Sequence, residues 1–485
     1  MIHLEDVTIA KVNNRDLYQP PPRFDLLHAP LLGRLLRWRW GRLLGQIPLL
    51  LLALVMIYDG FTGPKIASQN VATVAAWVHY RGLVMLALLL VGNLFCMSCP
   101  FTLPRTLARR LSRNGRRWPR VLRNKWLAIT ILVFFFFLYE WLNLWASPWL
   151  TAWIIVGYFL AALVLETVFA ESPFCKYVCP LGTFNFVGST VSPFQITARN
   201  AETCHTCPGK ECVNGSPQVS GCGTELFVPQ IRSNMDCIFC LDCARACPYD
   251  NVALSVRQPG HELTQGMWPR RWDFAFLVLV FAFAGISNAF GMVPPFYALE
   301  QWLAAQLHII NEGVLLLIIF GVINLLLPVG IGLGAAWLSH RLARKREPLR
   351  VALSRYAPAV MPLAFAIWLA HYGFHFATGA LAIIPVAQNF LLDHGLIWLG
   401  TTPNWRLGAI LPGSWLLPVQ VLVVLAGFGS SLLVAGEIGR RDFTDPRRAI
   451  LSMLPWVLVL LGLAVAAIAM FNLPMEMRGT IQLNG

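Results

Sequence analysis

Nine stretches of this chain are apolar for long enough to cross a lipid bilayer, and nothing else in the sequence constrains its fold as strongly. A helix needs about 20 apolar residues to span the hydrocarbon. The runs lie at about 43–62, 82–99, 126–147, 149–170, 273–294, 313–336, 355–378, 414–435 and 450–472. Only Ala146-Ser147-Pro148 or little more joins the third to the fourth, so that pair is expected as a tight hairpin. Composition agrees. The 485 residues are 56% hydrophobic and 13% charged, and a soluble domain carries about twice that share of charge. The expected architecture is an all-α polytopic membrane protein of about nine transmembrane helices.

A net charge of +14 would suit nucleic acid, but its distribution argues against that. Arg and Lys sit in short loops between apolar runs, the positive-inside pattern. The N-terminal arm carries Arg34, Arg37, Arg39 and Arg42 after Pro20-Pro21-Pro22. The loop after the second run has Arg105, Arg109, Arg110, Arg113, Arg116, Arg117, Arg120, Arg123 and Lys125. The loop after the sixth has Arg341, Arg344, Lys345, Arg346 and Arg350, and the one after the eighth has Arg440, Arg441, Arg447 and Arg448. Alternate loops hold only Lys65, Arg81 and Arg406. This predicts an N-terminus inside and a C-terminus outside. The first apolar run then serves as a signal anchor, with no cleavable signal peptide. The expected organisation is a cytoplasmic arm (1–42), a four-helix membrane domain (43–170), a cytoplasmic polar domain (171–272), a five-helix membrane domain (273–472) and a periplasmic tail (473–485). The outer loops 295–312 and 379–413 are apolar enough to lie along the interface as amphipathic helices.

Most of the twelve cysteines fall in the polar segment, at metal-site spacings. Residues 237–248 read Cys237-x2-Cys240-x2-Cys243-x3-Cys247-Pro248. This is the bacterial 4Fe–4S run, in which three thiolates hold one cluster and the fourth reaches the other. Zinc prefers two separated pairs. A stretched partner run reads Cys204-x2-Cys207-x4-Cys212-x9-Cys222. Crossed ligation assigns Cys204, Cys207, Cys212 and Cys247 to one cluster and Cys237, Cys240, Cys243 and Cys222 to the other. His205 reads as a hydrogen-bond donor beside the first set. The polar domain is therefore expected as a small bacterial-ferredoxin-like α+β unit.

Two Cys-Pro elements remain: "CMSCP" at 96–100 and "CKYVCP" at 175–180. Each proline is expected to end its helix and to leave two thiols at the cytoplasmic face. Cys96, Cys99, Cys175 and Cys179 together match the ligand count of a third 4Fe–4S cluster or a zinc site. Disulfides, a reactive dithiol and inert buried thiols are the alternatives.

These elements resemble the membrane polyferredoxins of the NapH, NosR and CcoG type, over roughly residues 45–255. "CMSCP" departs from the type, with two residues between its thiols rather than three. The five C-terminal spans match nothing in it. The resemblance implies a bacterial inner-membrane iron–sulfur subunit of a respiratory complex. It would move electrons between the quinone pool or a periplasmic c-type cytochrome and cytoplasmic-side clusters. It also allows an assembly factor that reduces a metal or thiol for another enzyme.

Clusters at one face do not cross about 30 Å of hydrocarbon, so a quinone or a further cofactor is needed. Intramembrane ionisable residues are the candidates. His371 and His375 are i and i+4 on the seventh run and share a helix face. His308, with His79 and His394, falls toward the outer side, and Glu166 lies within the fourth run. They are candidates for a quinone or haem b site, or for structural hydrogen bonds. Phe134–Phe137 are expected to face lipid or pack, and "GIGLG" at 330–334 to permit close helix approach. No Walker loop, nucleophile triad or dinucleotide fingerprint is present.

Overall fold

The computed structural model describes residues 24–104, 115–169, 172–266, 268, 270–345 and 347–475. Of the expected features, Pro20–Pro22, Arg105, Arg109, Arg110, Arg113, Arg346 and most of the tail 473–485 lie outside these residues. Among them, eight helices are long and apolar enough to cross a membrane. In chain order, with one shorter helix included, the major helices are α1 (Leu43–Thr62), α2 (Val71–Leu90), α3 (Trp126–Trp141), α4 (Pro148–Val168), α5 (Trp272–Phe290), α6 (Glu312–Leu342), α7 (Leu349–Gly379), α8 (Gly413–Asp442) and α9 (Pro446–Phe471). The shorter one is α3, with 16 residues, or about 24 Å at 1.5 Å per residue. Shorter helices at Pro294–Leu307 and Ile383–Asp393 occupy the two outer loops.

α7 is the central post. It packs against α2, α5 and α8. Its Trp368 is fully buried and donates to the Phe281 carbonyl of α5 at 2.9 Å. Phe136 of α3 stacks on the same indole, with centroids 5.2 Å apart. The phenylalanine run thus divides as its helical spacing requires, with Phe134 exposed and Phe136 and Phe137 buried. In "GIGLG" only Gly332 makes a close approach, since a Cβ there would meet Leu279 at 2.4 Å.

The second span is not where hydropathy put it. It starts at Val71, eleven residues before the expected 82, and ends at Leu90, short of Cys96. Asn70 caps it, accepting from the Ala72 N–H at 2.9 Å. Arg81, expected in an outer loop, sits mid-helix and is 6% exposed. Its guanidinium carbon lies 4.7, 4.3 and 4.9 Å from the rings of Trp77, Tyr139 and Tyr372. A cation is admitted to the span because aromatic faces replace part of its hydration.

The expected tight hairpin is also different. The 146–148 connection is short, but its arms diverge: α4 packs on α1, while α3 packs on α5 and α6.

The polar segment contains a two-stranded antiparallel sheet, β1 (Phe194–Ala198) and β2 (Val252–Val256), paired Phe194 with Val256 through Ala198 with Val252. The N-terminal arm closes over it. Asp25 accepts from Leu254 N at 3.1 Å and from Arg199 Nε at 2.8 Å, and Phe24 O accepts from Val256 N at 3.1 Å.

Candidate functional site

The two Cys-Pro elements come together. Cys96, Cys99, Cys175 and Cys179 line one small pocket with Phe101, Phe174 and Gly182. The local structure explains how. α2 stops at Leu90, the chain turns through Gly92 (φ +74), and a short helix, Leu94–Met97, carries Cys96. α4 stops at Val168, and Cys175 lies in a single π-turn, Phe174–Val178. The prolines do not end the spans as expected. Pro100 and Pro180 each occupy the first turn of a new helix, where the missing N–H costs nothing, and Cys99 and Cys179 are the caps before them. Cys179 Sγ accepts from the Gly182 N–H at 3.1 Å, and Asn185 Nδ2 donates to Cys96 Sγ at 3.4 Å. A Cβ at Gly182 would press on the Cys175 carbonyl at 2.9 Å.

All twelve cysteines are free thiols. Burial pushes the Cys96 thiol up to about 11 and Cys179 up to about 12. Among the described residues, no three His, Cys, Asp or Glu side chains converge on a point as a single ion requires.

Cys212 lies within electrostatic reach of Cys204, Cys247 and Cys207. Cys243 lies within reach of Cys240, Cys222 and Cys237, and more weakly of Cys212. Burial raises both thiols. Donors aim at sulfur here too. Asn251 donates from Nδ2 to Cys204 at 3.2 Å and from its backbone to Cys247 at 3.4 Å, and Leu226 N to Cys222 at 3.4 Å. The 236–241 loop needs left-handed backbone at Asp236, Phe239 and Leu241 (φ 67, 55 and 61). Non-glycine residues there store strain that the surroundings must support. His205 is exposed on the helix Ala201–Thr206.

Three contacts join the membrane thiols to this loop. Asn93, fully buried, donates to the Cys237 carbonyl at 3.0 Å. Arg42 donates to Met97 O and to Thr102 Oγ1, both at 2.8 Å, and pairs with Asp242 at 3.7 Å. Lys125, 1% exposed, pairs with Asp236 and donates to Lys176 O at 2.8 Å. Lys176 in turn donates to Thr224 O at 2.7 Å. In the sequence Arg42 and Lys125 served only as orientation signals.

The intramembrane candidates lie elsewhere. His371 is buried and His375 half-buried, their ring centroids 4.9 Å apart, and among the described residues His371 Nδ1 and Nε2 and His375 Nε2 have no hydrogen-bond partner. His308 is an exposed C-cap with φ 54, and Glu166 accepts from Ser172 Oγ at 3.0 Å. None of these four lines a cavity of about 630 Å³ found between the diverging α3 and α4. Its wall includes Trp77, His79, Tyr80, Arg81, Tyr158 and Tyr372. Phe95, Phe101 and Leu181 line both it and the four-thiol pocket.

No known family profile matches the chain, and no solved structure matches it. It is 31% identical over 131 residues to the curated Escherichia coli (strain K12) protein named "Putative electron transport protein YccM". That stretch is 27% of this chain and 34% of the relative, so the chain spans about a third of the length of the curated protein it matches. The chain is thus similar, over about a quarter of itself, to a protein named for electron transport.

Proposed function

We propose that this is a membrane electron carrier. It passes electrons between a quinone or an outer redox partner, such as a c-type cytochrome, and 4Fe–4S centres on its cysteines. The observation that carries this reading is the meeting of Cys96, Cys99, Cys175 and Cys179 around one pocket, with Asn93 tying the adjacent turn to the Cys237 loop. In this reading Cys204, Cys207, Cys212 and Cys247 hold one centre, and Cys237, Cys240, Cys243 and Cys222 a second, within a ferredoxin-like unit. The membrane set holds a third. A bound 4Fe–4S centre supplies one-electron storage at a potential set by burial and by hydrogen bonds to sulfur. The chain's own groups prepare these sites: Asn185, Asn251 and the Gly182 and Leu226 N–H groups aim donors at sulfur, while Arg42 and Lys125 place positive charge beside thiolate-rich loops.

Counting α3 as a ninth crossing puts the basic loops and all three thiol sets on the cytoplasmic side of the inner membrane. Iron and acid-labile sulfide per purified chain test the proposal. Three centres give about twelve irons, and Cys175→Ser with Cys179→Ser lowers the content by about four. A chain without iron and sulfide, or an unchanged count in the double variant, overturns it.

A further inference from the structure

We infer that the cavity between α3 and α4 is a binding site for the ring of a lipid-soluble quinone, anchored by Arg81. The inference deepens the electron-carrier reading and rests on it for its redox meaning, but the binding itself does not depend on the clusters.

The cavity holds about 630 Å³, within the range of sites that enclose small organic ligands. Its rim includes Leu52 and Leu83, which are 40% and 50% exposed. Both stand on membrane-spanning helices, so this side opens toward lipid rather than water, and an isoprenoid tail has an exit. An acyl chain would be satisfied by the apolar wall alone. It would give no reason for a buried cation, which is costly in a span and marks function by default. Arg81 lines the cavity. Nη1 donates to the Tyr139 hydroxyl at 3.0 Å, a bond that uses one of the five donors of its fork, and Tyr372 and the buried Glu140 lie within its electrostatic reach. Three rings hold the guanidinium plane in place. A fixed, desolvated donor set beside aromatic walls recognises a carbonyl oxygen on a flat ring.

Haem would need a free axial ligand. His79 is the histidine in the wall, and its ring nitrogens face the carbonyls of Val74 at 3.1 Å and Ala380 at 2.9 Å. A ring in the cavity would be one layer of side chains from the four thiols, across Phe95, Phe101 and Leu181. Tyr80 reaches from the cavity wall toward the thiols, beside Asn185, the donor to Cys96.

The test is equilibrium binding of decyl-ubiquinone and of a short-tailed menaquinone to the full chain in nanodiscs, read by quenching of tryptophan fluorescence. Iron is counted in the same preparations. Arg81→Gln removes the anchor, and Ala87→Trp fills the cavity from its wall. Both are expected to weaken binding at least tenfold while iron content stays constant. Binding by an iron-free preparation leaves the site standing and removes the electron-carrier reading. Full iron with no quinone binding removes the site and spares that reading. The site also falls if both variants bind like the natural chain, or if native mass spectrometry finds a phospholipid that quinone does not displace.

Discussion

Replacing Lys125 with Met removes the cation that joins three parts of the molecule. Its side chain is 2% exposed and that of its partner Asp236 10% exposed, so neither charge is well served by water. Removing one member of a buried pair costs about 3–5 kcal/mol, because the other stays buried and uncompensated. Here the stranded group is Asp236, next to Cys237, and the donor to Lys176 O is lost as well. The damage is local to the 234–243 loop. With 1.4 kcal/mol per factor of ten, amide exchange there should speed up by roughly a hundredfold to a few thousandfold, provided local opening limits exchange. Hydrogen exchange with peptide-level mass spectrometry reads this directly, and the amide of Cys237, bonded to Asn234 O at 3.0 Å, is the marker. Lys125→Met combined with Asp236→Asn removes both charges and should recover most of the protection. A change below threefold in the single variant, or no recovery in the double, would refute the argument.

Gly92→Ala should destabilise by about 2 kcal/mol or more, seen as a lower thermal midpoint. The residue has φ +74, and a Cβ would lie 2.5 Å from the Phe239 ring and 2.6 Å from Ser192 Oγ. Asn185→Leu deletes the donor to Cys96 Sγ and should make the centre proposed on the membrane thiols harder to reduce, in a redox titration followed by electron paramagnetic resonance. Burial, with Arg257 nearby, holds the His261 imidazole below its usual value. The folded state therefore resists a proton that the unfolded chain accepts, and stability falls as pH drops below about 6.5. His261→Asn should flatten that acid limb; an unaltered pH profile of thermal stability would contradict it.

Most spans were readable from hydropathy, even with Asp59 in the first run and Glu166 in the fourth. The second failed at Arg81 and His79, since an index that scores residues singly penalises a cation even when Trp77, Tyr139 and Tyr372 surround it. Tyr139 and Tyr372 lie far away in sequence, so the cage exists only once α2, α3 and α7 have packed. The cavity was invisible for the same kind of reason. It arises from where two helices go after a short turn, and the residues of that turn do not encode the divergence. The cysteine spacings were easier, because a loop that brings Cys237, Cys240 and Cys243 together is a local object. The grouping of "CMSCP" with "CKYVCP" followed from counting membrane crossings. What the count could not supply was the geometry of capping: each Cys-Pro pair starts a helix rather than stopping one.

The clasp made by Asp25 has a consequence for how the chain is built. Asp25 leaves the ribosome 229 residues ahead of Leu254, the strand residue it holds. At about 5–20 residues per second, that interval is roughly 10 to 50 s. During it the first four apolar helices must enter the membrane while the arm waits without its partner. The sheet, and the eight thiols beside it, can close only after that wait. Closure of this segment is therefore a late event in biogenesis, and a chain truncated before β2 should insert its first helices yet leave its arm open to protease.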